Sequence, residues 1–162
     1  MEEVRFITGE AALRNFMEGL REEVDDQIHA RNISASGALM NSNRTEVVMG
    51  TASATGALYA LDYWTKAGSG SPPGTRVELS ALAKWARDKG IASNNRRAVR
   101  IGFLVQRKIL REGSYQYRNK GTNVYTKAIE DHQPKVEGVL SAFLSDWPTA
   151  VKGVFSRAFK AA

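Results

Sequence analysis

Asn94-Asn-Arg-Arg-Ala-Val-Arg-Ile-Gly-Phe-Leu-Val-Gln-Arg-Lys-Ile-Leu-Arg-Glu112 is the stretch whose reading decides the fold. At 3.6 residues per turn, Ala98, Ile101, Val105 and Ile109 share one face, and Val99, Phe103 and Leu110 widen it. Arg96, Arg97, Arg100, Arg107, Lys108 and Arg111 fall on the opposite side. The spacing predicts an amphipathic helix over 94–112, apolar side toward a core and cationic side outward. Gly102 sits among the apolar positions, where it would let another element approach closely, and Gly113 ends the helix.

Working outward, Leu79-Ser-Ala-Leu-Ala-Lys-Trp-Ala-Arg-Asp-Lys-Gly-Ile91 predicts a short helix to about Lys89 that stops at Gly90. Thr75-Arg-Val-Glu78 ahead of it has capping-box spacing. Trp85 is expected to bury its ring against the arginine helix or the sheet. Before that, Lys66-Ala-Gly-Ser-Gly-Ser-Pro-Pro-Gly-Thr75 predicts an exposed loop, because glycine frees the backbone and each proline removes a donor. A first helix is expected at about 9–31, capped by Thr8, with Leu13, Phe16, Met17, Leu20, Val24 and Ile28 on one face. Residues 32–43 read as a connector with one helical turn. Thr45-Glu-Val-Val-Met49 reads as a strand and 50–56 as a turn, and Ala57 to Trp64 fits either a return strand or a short helix.

Downstream, Ser114 to Thr122 reads as a loop or short edge strand. The last forty residues read as helix in pieces: Pro134 suits a first turn, and Pro148 restarts or kinks the helix. The expected fold class is α+β: a small antiparallel sheet at about 44–63, packed by the first helix and the arginine helix, with a helical C-terminal region. One domain spans 1–162, with a core at 9–130 and an extension at 131–162.

Composition limits the function classes. The 162 residues are 43% hydrophobic, enough for one core without covalent staples. There is no cysteine, which excludes disulfides and thiolate metal ligands. No apolar run approaches the ~18 residues of a membrane span, and Met1-Glu-Glu3 lacks a signal-peptide pattern, so no membrane association is expected. The net charge of +6 is uneven. Residues 1–31 hold eight acidic and four basic side chains, and the remainder holds nine acidic and nineteen basic. Opposite ends of that kind attract neighbouring subunits or a polyanion.

No catalytic constellation stands out, and the chain is read as a non-enzyme without cofactor or metal. Gly68, Gly70 and Gly74 lack phosphate-loop spacing, Pro72 and Pro73 remove two donors, and no Gly-Lys-Ser/Thr follows. These five residues read instead as a subunit contact. His29 and His132 have no partner at metal-ligand spacing and read as solvated surface residues. From Lys84 to Arg111 there are nine bases and one acid, Asp88. A short helix, a glycine turn and an arginine helix resemble half a helix-turn-helix, with 113–122 as a wing, so winged-helix DNA binding through 79–122 is the alternative reading.

The order of features resembles the phage neck and tail-completion family, the small minor-tail or head–tail joining components. The features are a long first helix, the step Ser36-Gly-Ala-Leu39, a strand at Thr45–Met49, and Tyr59-Ala60. Next come Gly68-Ser-Gly-Ser-Pro-Pro73, Trp85-Ala-Arg-Asp-Lys-Gly-Ile91, and the arginine helix ending in Gly113-Ser. The chain departs from the pattern at Thr65-Lys-Ala, where an acidic residue is usual, and in a longer C-terminal extension. The resemblance implies a structural virion protein, made in the host cytoplasm, that forms a homo-oligomeric ring in the head–tail connector. It also implies other neck, tail or portal-associated proteins as partners and allows non-specific contact with DNA. The basic face would then meet either a subunit or DNA.

Overall fold

A computed structural model describes residues 6–33, 37–50, 53–62 and 64–160, the side chains of 153–160 excepted. Ser36 of the small-residue step, 51–52 of the expected turn and Tyr63 of the return segment lie outside the described residues. The helices are α1 (Ile7–Ala30), α2 (Ala38–Ser42), α3 (Trp64–Ser69), α4 (Leu79–Asp88), α5 (Asn95–Glu112), α6 (Tyr115–Arg118), α7 (Val124–His132) and α8 (Val136–Lys160). Strands β1 (Arg44–Met49) and β2 (Ala54–Tyr59) follow α2, and a 3-10 turn at Gln133–Lys135 precedes α8. The chain is thus α+β, with one two-stranded antiparallel sheet among the described residues and a helical C-terminal region. It forms two compact units: Met1–Val24 with Arg44–Tyr59 and Ala128–Ala162, and Asp25–Asn43 with Ala60–Lys127.

In the first unit, Met17, Leu20 and Val24 of α1 are buried, as their helical spacing requires. The hairpin pairs Arg44 with Tyr59 through to Met49 with Ala54. Thr45, Val47 and Met49 are less exposed than Arg44, Glu46 and Val48, the period of two of a half-covered sheet. The covered side meets α1. Thr45 Oγ1 donates to Glu18 Oε2 at 3.3 Å, and Gly56, opposite Val47, brings its bare backbone onto Met17. On the other face the Arg44 guanidinium stands 4.7 Å from the Tyr59 ring centre.

Two expectations are corrected in this unit. α1 begins at Ile7, so Thr8 lies inside its first turn and does not cap it. The acceptor there is Asp146 of α8, whose Oδ2 takes the Gly9 N–H at 2.8 Å. Of the two options at Pro148, a restart is not seen: α8 continues through it to Lys160. His132 is only 3% exposed, not solvated. Its ring packs on Phe16 at 4.8 Å and Nε2 lies 3.0 Å from the Phe16 carbonyl. A carbonyl only accepts, so Nε2 carries the proton and Nδ1 is left to accept from Lys135 Nζ at 3.1 Å. Gly19 makes room for the ring, since a Cβ there would sit 3.0 Å from His132 Cε1. His29, by contrast, is exposed.

In the second unit, α4 and α5 pack together around a core of Ala83, Ala86, Ala92 and Ala98, with Trp85 and Ile101 packed against it. The arginine helix therefore has α4 as its packing partner, while the sheet belongs to the first unit with α1. Trp85 packs against the core it shares with the arginine helix, as expected, and its ring is half-buried there. Ile28, Leu39 and Val124 are fully buried, and Trp64 stands edge-on to Tyr125 at 4.8 Å. The return segment resolves into both options offered by its sequence: β2 ends at Tyr59, and α3 begins at Trp64 and runs into the expected loop as far as Ser69.

Asp146 makes the first unit sensitive to acid. The Gly9 N–H, then Thr8, hold its carboxyl below the usual carboxylate range. A depressed folded value gives stability that is present above the unfolded value of ~3.9 and lost as pH falls through the folded one. Asp146→Asn should lower the unfolding midpoint at pH 6, and the gap to wild type should close as pH falls from about 4 toward 2. A gap that stays constant over that range would show that the charge of Asp146 does not support α1.

Candidate interaction surface

The α4–α5 pair is built by one close approach. Gly102 is buried against α4, and a Cβ there would sit 3.1 Å from Ala83 N and 3.3 Å from Leu82 Cβ. Asn94 caps α5 by accepting the Arg97 N–H at 2.9 Å, and Gly113 closes it by donating to Ile109 O at 2.9 Å. The Thr75–Glu78 capping box does not form. Glu78 is the N-cap of α4 in extended backbone with no side-chain bond. Gln106 of α5 donates to Val77 O at 2.6 Å and holds that segment extended.

Because α4 is met through small residues, the covered side of α5 is narrow. Ala98 and Gly102 are buried, while Ile101, Val105 and Ile109 are half-buried. Val99, Phe103 and Leu110, expected to widen this face, are exposed instead. Arg96, Arg97, Arg100, Arg107, Lys108 and Arg111 are all exposed, as their side of the wheel predicts. Leu104, 63% exposed, stands among them, one turn from Arg100, Arg107 and Lys108. Arg111 pairs with Glu112, whose second oxygen lies 3.5 Å from Arg118. Arg111, Lys108 and Arg118 together keep the Glu112 carboxyl below the ordinary carboxylate range, Arg111 most strongly. The apolar members of this surface were missed because helical periodicity says which residues share a side but not how much of that side a neighbour covers. The legible signal was Leu104, an apolar residue on the cationic side of the wheel.

The glycine loop is only partly the free segment its composition suggests. Pro72, Pro73 and Gly74 are exposed, but Gly68 and Gly70 are half-buried. Ser71 N–H donates to Ser114 Oγ at 2.9 Å, and Ser114 N–H returns a bond to Ser71 O at 2.8 Å. Gly74 N–H donates to Leu110 O at 2.8 Å, and Thr122 N–H to Gly68 O at 2.7 Å. The loop N–H groups are therefore spent inside the fold, which leaves no phosphate cradle. Ser114 also caps α6 through the Tyr117 N–H, so the expected wing is a helical turn. Among the described residues no group of three or more His, Asp or Glu could hold a metal ion, and no helix is long and apolar enough to cross a membrane.

Compared with protein-family models, curated proteins and solved structures, the chain matches none.

Two substitutions test this construction. Gly102→Leu should push α5 off α4 and cost about 1–3 kcal/mol in urea unfolding, the usual penalty of overpacking. A neutral effect would mean the two helices are not in close contact. Gly70 has φ of 78°, and a Cβ there would overlap the Tyr117 backbone nitrogen. Gly70→Ala should cost about 1–3 kcal/mol, and unchanged stability would show that the loop is not held against α6.

Proposed function

We propose that the chain is a structural subunit of a phage virion, acting in the neck or tail-completion region as part of a head–tail connector ring. The observation that carries this reading is the outer surface of α5. Large apolar side chains stay exposed there beside a row of cations. A monomer gains nothing from that combination, whereas a subunit contact buries the apolar atoms and pairs the charges with carboxylates. The ordered resemblance in sequence supplies the virion setting. The tip of the glycine loop, Pro72, Pro73 and Gly74, is a further subunit contact on this reading. Its partners are copies of itself and other neck, tail or portal-associated proteins. The cationic face tolerates passing DNA without reading its sequence, and the reading assigns the chain no reaction.

A second reading has one observation in its favour. Arg96, Arg97 and Arg100 are exposed in the first turns of the second helix of a helix–turn–helix pair, where such folds meet the major groove. Against it, the segment that would form the wing is α6.

Arg100→Ala combined with Arg107→Ala separates the two. On the neck reading the variant folds normally and its oligomer, measured by light scattering and negative-stain imaging, is weakened. The protein is also found in purified particles. Absence from particles, together with normal assembly and a loss of duplex binding whose salt slope falls by about one unit per arginine, would replace the neck reading with the DNA-binding one.

A further inference from the structure

The first unit carries an apolar groove of about 600 Å³ lined by Phe6, Leu13, Met49, Leu140, Phe143 and Trp147. It lies where α1, the turn end of the hairpin and α8 meet, all within that unit. Phe6, 6.0 Å from Phe143 and 6.2 Å from Trp147 between ring centres, forms part of its wall. Leu140 and Trp147 keep 57% and 59% of their surface in solvent. A concave aromatic patch of this kind is the usual seat of a protruding apolar side chain.

The charge of the chain indicates what fills it. The segments of the first unit hold eleven acidic and eight basic residues, and those of the second hold six acidic and fifteen basic. The units are thus −3 and +9. On the outer side of α5, in the positive unit, Phe103 and Leu104 project among Arg100, Arg107 and Lys108. A duplex would satisfy those cations through its phosphates, but the apolar side chains standing between them need an apolar partner. The negative unit offers one in the groove, with Glu137 of α8 exposed one turn before Leu140.

We infer that the groove of the first unit receives Phe103 and Leu104 from α5 of a second copy of this chain. The inference rests on the subunit reading above and names its mating surfaces. The two patches differ, so the contact is head-to-tail. Each copy that docks leaves one groove and one α5 strip open at the ends, and the series closes into a ring or continues as a filament. Attraction between the oppositely charged units adds to the contact and weakens with salt.

The test is sedimentation of the full chain and two variants over a concentration series, at about 0.1 M and 0.5 M salt. Leu104→Glu alters only the strip and Leu140→Glu only the groove. Both sites are more than half exposed, and circular dichroism checks that both variants fold. Each variant alone should associate at least about 30-fold more weakly, the effect of losing an interface hot spot. Mixing the two should restore a dimer and no larger species, because one intact strip still meets one intact groove. An effect of Leu140→Glu without one of Leu104→Glu, or failure of the mixture to pair, would overturn the inference in favour of an α8–α8 contact. A chain that stays monomeric and shifts duplex DNA would overturn both the inference and the subunit reading. Oligomers that survive both substitutions would remove these surfaces and leave the subunit reading standing.

Discussion

The approach of α4 and α5 through Gly102 sets most of what the second unit presents to its surroundings. Helices whose contact is made by glycine and alanine come together closely and cover little of each other's circumference. α5 is therefore held firmly along a narrow line of Ala98 and Gly102, and the rest of its surface is left outside. α4 is the element packed most extensively against α5, so the flanks that α4 does not reach are left in solvent. The exposure of Phe103 and Leu104 is thus a consequence of the packing. The fixed position of the cations beside them follows from the same line of contact, reinforced by Gln106 and the caps at Asn94 and Gly113.

How much of this was legible depended on how local each cause was. Helices α1 and α5 could be read because their apolar spacing is long and regular, and β1 because β-branched residues cluster there. The close approach at Gly102 was legible as well, since a glycine among packing positions has few other uses. The buried state of His132 was not, because it depends on Phe16 and Gly19, more than a hundred residues away in the chain. The cap on α1 was hidden for the same reason, its acceptor lying at Asp146. Residues 114–122 read as a loop because a single turn of helix capped by Ser114 has no periodicity to detect.

The candidate surface was half legible. Every cation on α5 could be placed outward from the wheel. The apolar strip beside them could not, because Val99, Phe103 and Leu110 satisfy the helical pattern whether or not anything lies over them. The groove of the first unit is further removed still. Its walls come from three segments of the chain, and no property of any one of them marks it.

The path of the chain through the two units has a consequence for how the protein emerges during synthesis. The second unit has all of its segments once Lys127 has been made, but the first unit needs Ala128 onward. Its opening helix and hairpin are finished early and then wait while Ala60–Lys127 is translated, on the order of several seconds at ~5–20 residues per second. During that interval the surface of α1 that later holds His132, and the turn that Asp146 later caps, have no cover. The newborn chain thus passes through a period in which one unit can be complete while the other is an uncovered amphipathic hairpin-and-helix fragment. In that fragment Phe16 and Gly19 lack the His132 ring that covers them once Ala128 onward has been made.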